Sequence, residues 1–165
     1  FYISADTWIF TYRVKRPTSV NIYKSFLSIE HSTWKNDQGV YRAVAIQSWS
    51  HLPVKLVRLT GFYLGKPVLE LLFDGRNSTI DNWFQYARLI RSPWTDLNAT
   101  NFNMFSLRGN EVDRSFAIGY FGDTCEEDRG WMTVIERQFN CSYANLTYYP
   151  AILFADSNSQ TNWSK

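Results

Sequence analysis

Apolar and polar positions alternate over residues 8–14, with Trp8, Phe10, Tyr12 and Val14 on one face and Thr11 and Arg13 on the other. A period of two predicts a half-buried strand, which Pro17 ends. Val20, Tyr23 and Leu27 then fall at helical spacing behind Thr18 or Ser19 as a cap, predicting a short helix over about 20–28. Residues 32–39 are polar and read as a loop, and 41–47 as another short strand. Residues 54–64 and 68–73 are apolar arms around Gly65-Lys66-Pro67, which predicts a hairpin. Ser78-x-x-Asp81 then resembles a capping box. Behind it Ile80, Trp83, Phe84, Ala87 and Ile90 follow a helical period, predicting a second helix over 79–91 that Pro93 terminates. Beyond it, 102–107, 115–120, 131–135 and 151–154 read as strands. The expected fold class is α+β and β-rich, with mainly antiparallel sheets and two short helices. The alternative is a β-sandwich with helical insertions.

The chain has 165 residues, 45% of them hydrophobic, which is enough for one domain over 1–165. Seventeen basic residues against fifteen acidic leave a net charge of +2. That bias is too small for a nucleic-acid binder or a polybasic membrane tether. No apolar run approaches the ~18–20 residues that span a bilayer. Residue 1 is Phe rather than Met, so the chain is expected to be a processed or excised piece of something larger.

Asn-x-Ser/Thr sequons at Asn77, Asn98, Asn140, Asn145 and Asn162 are more than chance places in such a composition. They point to a glycosylating secretory pathway and an extracellular destination, with N-linked glycans on turns. Asn140 is the exception in kind, because its middle residue is Cys141. The two cysteines, Cys125 and Cys141, form an even set suited to one bridge. Such a bridge closes a loop of about 15 residues, worth about 3 kcal/mol on the chain-entropy model. Two buried thiols and bonds to other chains are the alternatives. The spacing is not Cys-x-x-Cys, and the only histidines, His31 and His51, lie too far away in sequence to suggest a zinc site.

The chain offers little for catalysis. Neither histidine has a local motif around it, and no Gly-x-Ser-x-Gly, P-loop or dinucleotide fingerprint is present. The acidic run Asp123, Glu126, Glu127 and Asp128 has the oxygen ligands that Ca²⁺ prefers, without an EF-hand spacing. A solvated turn beside the bridge explains it equally simply. Asp128-Arg129-Gly130-Trp131 reads as a tight turn delivering a strand with a buried Trp. Sugar rings stack on exposed aromatics, and Trp34, Trp49, Trp94, Tyr143, Tyr148 and Tyr149 lie off the periodic pattern. Of these, Trp34, Trp94 and Tyr148 are the candidate glycan-stacking residues.

Several segments taken in order resemble one family. They are Trp8-Ile-Phe-Thr-Tyr-Arg-Val14, Ile22-Tyr-Lys-Ser-Phe26, Asn82-Trp-Phe84, and Leu89-Ile-Arg-Ser-Pro-Trp-Thr-Asp-Leu97. Phe105-Ser-Leu107, Arg114-Ser-Phe-Ala-Ile-Gly119, Cys125, Asp128-Arg-Gly-Trp131, Cys141, Pro150-Ala-Ile-Leu-Phe154 and Thr161-Asn-Trp163 complete the order. The pattern resembles the extracellular globular domains of cnidarian skeletal organic matrix-type secreted proteins. Shorter pieces are similar to fibrinogen-related and intelectin-like domains. The first resemblance implies a secreted matrix or surface role without catalysis, with other extracellular proteins as partners. The second implies Ca²⁺-assisted glycan binding, with no ligand residues carried over. In the resembling domains an apolar strand follows the Thr-Asn-Trp segment. Here the chain stops at Lys165, so either the fold continues beyond it or that strand is absent, and an absent strand leaves an open sheet edge available for self-association.

Overall fold

The computed structural model describes residues 2–4, 7–16, 18–28, 39–110 and 112–164. The loop expected over 32–39, along with His31, Trp34 and Pro17, therefore lies outside the described residues, Gly39 excepted. Within a length expected of one domain, the chain divides into two compact units. The first holds residues 1–20 and 24–93, the second 21–23 and 94–165. The fold is α+β and strand-rich, and every strand pairing is antiparallel.

The first unit contains β1 (Tyr2–Ser4), β2 (Trp8–Phe10), β3 (Tyr12–Val14), most of α1 (Ile22–Leu27), β4 (Val40–Arg42), β5 (Leu56–Tyr63), β6 (Lys66–Asp74) and β7 (Leu89–Arg91). Its main sheet runs β2-β1-β5-β6-β7, and β3 pairs with β4 apart from it. The strand expected over 8–14 is thus two strands in different sheets. They break at Thr11, whose carbonyl accepts the Ala43 N–H at 2.7 Å. Trp8 is partly exposed while Tyr12 is buried, so the two halves do not share one inward face. The segment expected as a strand over 41–47 is strand only through Arg42. It continues as a 3-10 helix, Val44–His51, that buries Ile46 and Trp49.

The hairpin forms as expected, but its turn is Leu64-Gly65, with Lys66 and Pro67 already in β6. Both turn residues have positive φ, 50° and 79°. Paired left-handed residues match the right-handed twist of the flanking strands, and Gly65 takes that conformation without a Cβ penalty.

The second expected helix is the largest correction. Over 79–91 only Tyr86–Arg88 is helical, as one 3-10 turn, and residues 89–91 are strand. Trp83 and Phe84 are adjacent and both fully buried, whereas Ala87 and Ile90, the next positions of the helical period, are exposed. Trp83 packs edge-on against Phe73 and Phe84, with centroids 5.3 and 5.5 Å away. Arg88 donates to the carbonyls of Asp74, Arg76 and Asn77, which folds the segment back on the end of β6. Leu89 and Arg91 then pair with Phe73 and Leu72. Ser78 does not cap either. Its hydroxyl donates to Gly75 O, and the local box is Thr79 with Asn82, each side chain accepting the other's backbone N–H.

The second unit contains β8 (Met104–Ser106), β9 (Arg114–Tyr120), β10 (Arg129–Ile135), β11 (Ala151–Phe154) and β12 (Thr161–Asn162). The sheet order is β11-β10-β9-β8, with β12 pairing β10. β9 and β10 are buried continuously, so both of their faces are covered. Trp131 is fully buried, as its position after the Asp128-Arg129-Gly130 turn predicts. Ile135, Ala144 and Ala151 form a smaller core with Phe139, Tyr143, Leu146, Tyr149 and Leu153 around it.

Residues 21–23 belong to this second unit through Glu136. That buried carboxylate accepts the N–H groups of Ile22 and Tyr23 at 2.9 and 3.1 Å, and the Ser115 hydroxyl donates to it. The first turn of α1 is therefore capped by a residue far away in sequence. Thr18, the expected cap, accepts the N–H of Val20 instead. Neither main sheet closes on itself among the described residues. β2 and β7 end one ladder, β11 and β8 the other.

Candidate functional site

Chemistry-bearing groups concentrate around the bridge in the second unit. Cys125 and Cys141 are joined, with an S–S distance of 2.02 Å. Beside the bridge the four acidic residues of the turn separate. Asp128 turns inward and is 2% exposed. Its Oδ1 accepts the Gly122 N–H at 3.0 Å, and its Oδ2 accepts Arg114 Nη2 at 2.8 Å. The Tyr143 hydroxyl also donates to Oδ2 while accepting from Arg114. Glu127 folds back over its own turn, and its Oε2 accepts the N–H of Asp123 at 2.9 Å. Gly122 leaves room for this, since a Cβ there would sit 2.1 Å from that oxygen. Asp123 and Glu126 face solvent.

The structure does not gather the four carboxylates expected to share Ca²⁺: the described residues hold no group of three or more His, Cys, Asp or Glu side chains placed to share a metal. Asp128 is committed to Arg114 and to the Gly122 N–H, Glu127 to the Asp123 N–H, and Asp123 and Glu126 stand exposed.

Arg114 is the centre of this arrangement. Its guanidinium lies over the rings of Phe121 and Phe139, 4.6 and 4.5 Å from their centroids, with Tyr143 at 5.8 Å. A cation enclosed by aromatic faces and paired with a buried carboxylate is strongly held. Burial, then the hydrogen bond to Asp128, push the Tyr143 phenol well above its ordinary range. Nothing in the local sequence marks Arg114 as the partner of Asp128. The signal lay only in an Arg opening an otherwise apolar strand.

The sequons are placed as their chemistry requires, with one exception. Asn77, Asn98, Asn140 and Asn145 are exposed. Asn77 holds a left-handed backbone, φ 54°, in the turn after β6. Asn98 forms a local turn in which its Oδ1 accepts both the N–H and the hydroxyl of Thr100, at 3.0 and 2.7 Å. Asn162 is half-buried in β12, and its Nδ2 donates to the carbonyl of Glu126 at 3.2 Å.

Of the candidate stacking residues, Tyr148 is 64% exposed. Trp94 is corrected. It is 4% exposed and its indole N–H donates to Ala155 O, so neither ring face meets solvent. Trp34 lies outside the described residues. Trp49 is also buried, and Tyr149 is half-buried with its hydroxyl donating to the carbonyl of Ala144.

A feature that periodicity missed is the tip of the β5–β6 hairpin in the first unit. Phe62, Tyr63 and Leu64 are 61%, 67% and 85% exposed. A Leu at positive φ with its side chain in water is unfavourable on two counts, conformational and solvent-related. An apolar triplet running into Gly65 was the available signal. Comparison with protein-family models, curated proteins and solved structures found no match to this chain.

Proposed function

We propose that the chain is a secreted, N-glycosylated, non-catalytic interaction domain of an extracellular matrix or surface assembly. The observation that carries this reading is the exposure of Asn77, Asn98, Asn140 and Asn145 together with the Cys125–Cys141 bridge. Disulfides persist in oxidising compartments, and glycans need solvent-facing turns. No helix among the described residues is long and apolar enough to cross a membrane. The likeness to skeletal organic matrix domains points the same way. Partners are other extracellular chains, engaged by the apolar hairpin tip at Phe62, Tyr63 and Leu64 and by open sheet ends, where Ile9, Ile90 and Ile152 are exposed.

The test is expression through a eukaryotic secretory pathway, followed by intact mass before and after enzymatic glycan removal. The same measurement is made with and without reductant. The expected result is sugar on Asn77, Asn98 and Asn145 and no free thiol. Bare asparagines with both sulfurs alkylatable would sink the reading.

A further inference from the structure

The first unit contains a cleft of about 270 Å³ that no periodicity or motif foreshadows. Its walls come from Leu27 at the end of α1, Ile46 and Trp49 of the 3-10 helix, and Ile80 of the turn after β6. Gln47, Ser50 and Thr79 supply polar edges. The remaining lining residue is Arg42, at the end of β4.

Arg42 is 3% exposed. Its Nε donates to the carbonyl of Phe26 at 2.6 Å, which fixes the plane of the guanidinium. Its Nη1 is enclosed and has no hydrogen-bond partner. No carboxylate lies at ion-pair distance from it among the described residues. Contrast Arg114, which is less deeply buried and meets Asp128 at 2.8 Å. A buried cation without a counter-ion is among the less favourable arrangements a fold can contain. Here it stands in the wall of a cavity whose other surfaces are largely apolar.

We propose that this cleft binds a small organic monocarboxylate whose body is a short alkyl chain or a single aromatic ring. The carboxylate meets Arg42 through Nη2, since Nε is already committed to Phe26 and Nη1 is enclosed. A charge-assisted hydrogen bond of this kind in a shielded site is strong. The body of the ligand lies against Leu27, Ile46, Trp49 and Ile80. The volume falls just below the ~300 Å³ at which drug-sized ligands begin to fit, which excludes an oligosaccharide or a peptide. Trp49 is fixed for the contact, because its indole N–H donates to Ser78 Oγ at 3.0 Å. This inference is independent of the extracellular reading.

The experiment is an NMR titration of the intact chain with 3-phenylpropionate, followed at the Trp49 indole N–H and the Arg42 Nε–H. The neutral 3-phenylpropionamide and inorganic sulfate serve as comparison probes. Saturable shifts at both groups are expected with the carboxylate, and at least about tenfold weaker binding with the amide. Arg42→Met should remove that preference, so that carboxylate and amide bind alike. Ile80→Trp, which fills the cleft and keeps the guanidinium, should abolish both. Equal affinity for carboxylate and amide in the unmodified chain would overturn the proposal, whether or not the Arg42 variant folds. So would sulfate binding as tightly as phenylpropionate, because the apolar walls would then contribute nothing.

Discussion

Asp96 holds Trp131 in place: the buried indole N–H donates to Asp96 Oδ1 at 2.6 Å, while Oδ2 of the same carboxylate accepts the Gln160 N–H at 2.9 Å. One side chain from the segment before β8 thus fixes the centre of β10 and the approach to β12. Asp96→Ala leaves a buried N–H unpaired and should lower stability by about 2–3 kcal/mol. Asp96→Asn keeps one acceptor and should lose less. Urea unfolding of both variants checks this, and an Ala variant within error of the parent would refute it.

Tyr143 makes stability depend on alkaline pH. Its phenol is raised by burial and by the bond to Asp128, so the folded chain keeps a proton that the unfolded chain releases. The resulting stabilisation is complete below the ordinary phenol range, near about pH 10, and is lost as pH climbs through the elevated value. Tyr143→Phe should be less stable at neutral pH by about 1–2 kcal/mol and should lose less on going to alkaline pH. Parallel pH profiles for parent and variant would rule the account out.

The bridge between Cys125 and Cys141, sixteen positions apart, should contribute about 3 kcal/mol through loop closure. Replacing both cysteines by Ser measures it in guanidinium unfolding. The loss should leave the hairpin of the first unit intact by hydrogen exchange. A deficit below about 1 kcal/mol would mean that Arg114, Asp128 and Tyr143 already hold the turn closed.

Leu64 is a position at which stability is open to improvement, because its backbone is left-handed and its side chain exposed. Asn tolerates left-handed backbone better than Leu, so Leu64→Asn should raise stability by about 0.5 kcal/mol or more. If the tip engages a partner, the same variant binds that partner less well. Unchanged stability would show that the φ of 50° is not a source of strain.

What the sequence revealed was local in origin. The arms around Gly65, the strand over 151–154 and the turn before Trp131 follow from neighbouring residues, and each is present. Where the reading over 79–91 failed, long-range packing had displaced a short-range preference. Arg88 finds carbonyls eleven to fourteen positions earlier, and Trp83 and Phe84 reach the core while Ala87 and Ile90 stay exposed. The cap of α1 was hidden for the same reason, since Glu136 is more than a hundred residues away. Trp94 shows the reverse error. Lack of periodicity suggested a free ring, but a loop Trp can be as deeply covered as a strand one. Arg42 had no signature, because a charged residue at the end of a short strand is ordinary until no carboxylate among the described residues proves to face it.

The unbroken burial of β9 and β10 divides the second unit into parts with different latitude for change. Along Ser115–Gly119 and Gly130–Ile135 there is no outward position at which a polar replacement escapes to water. Gly119 and Gly130 are closed even to alanine, a Cβ at either coming within 2.7 Å of the opposite backbone. Variation among relatives should therefore collect in the sequon-bearing turns and the outer strands, with the hairpin passing from one sequence to the next almost unaltered.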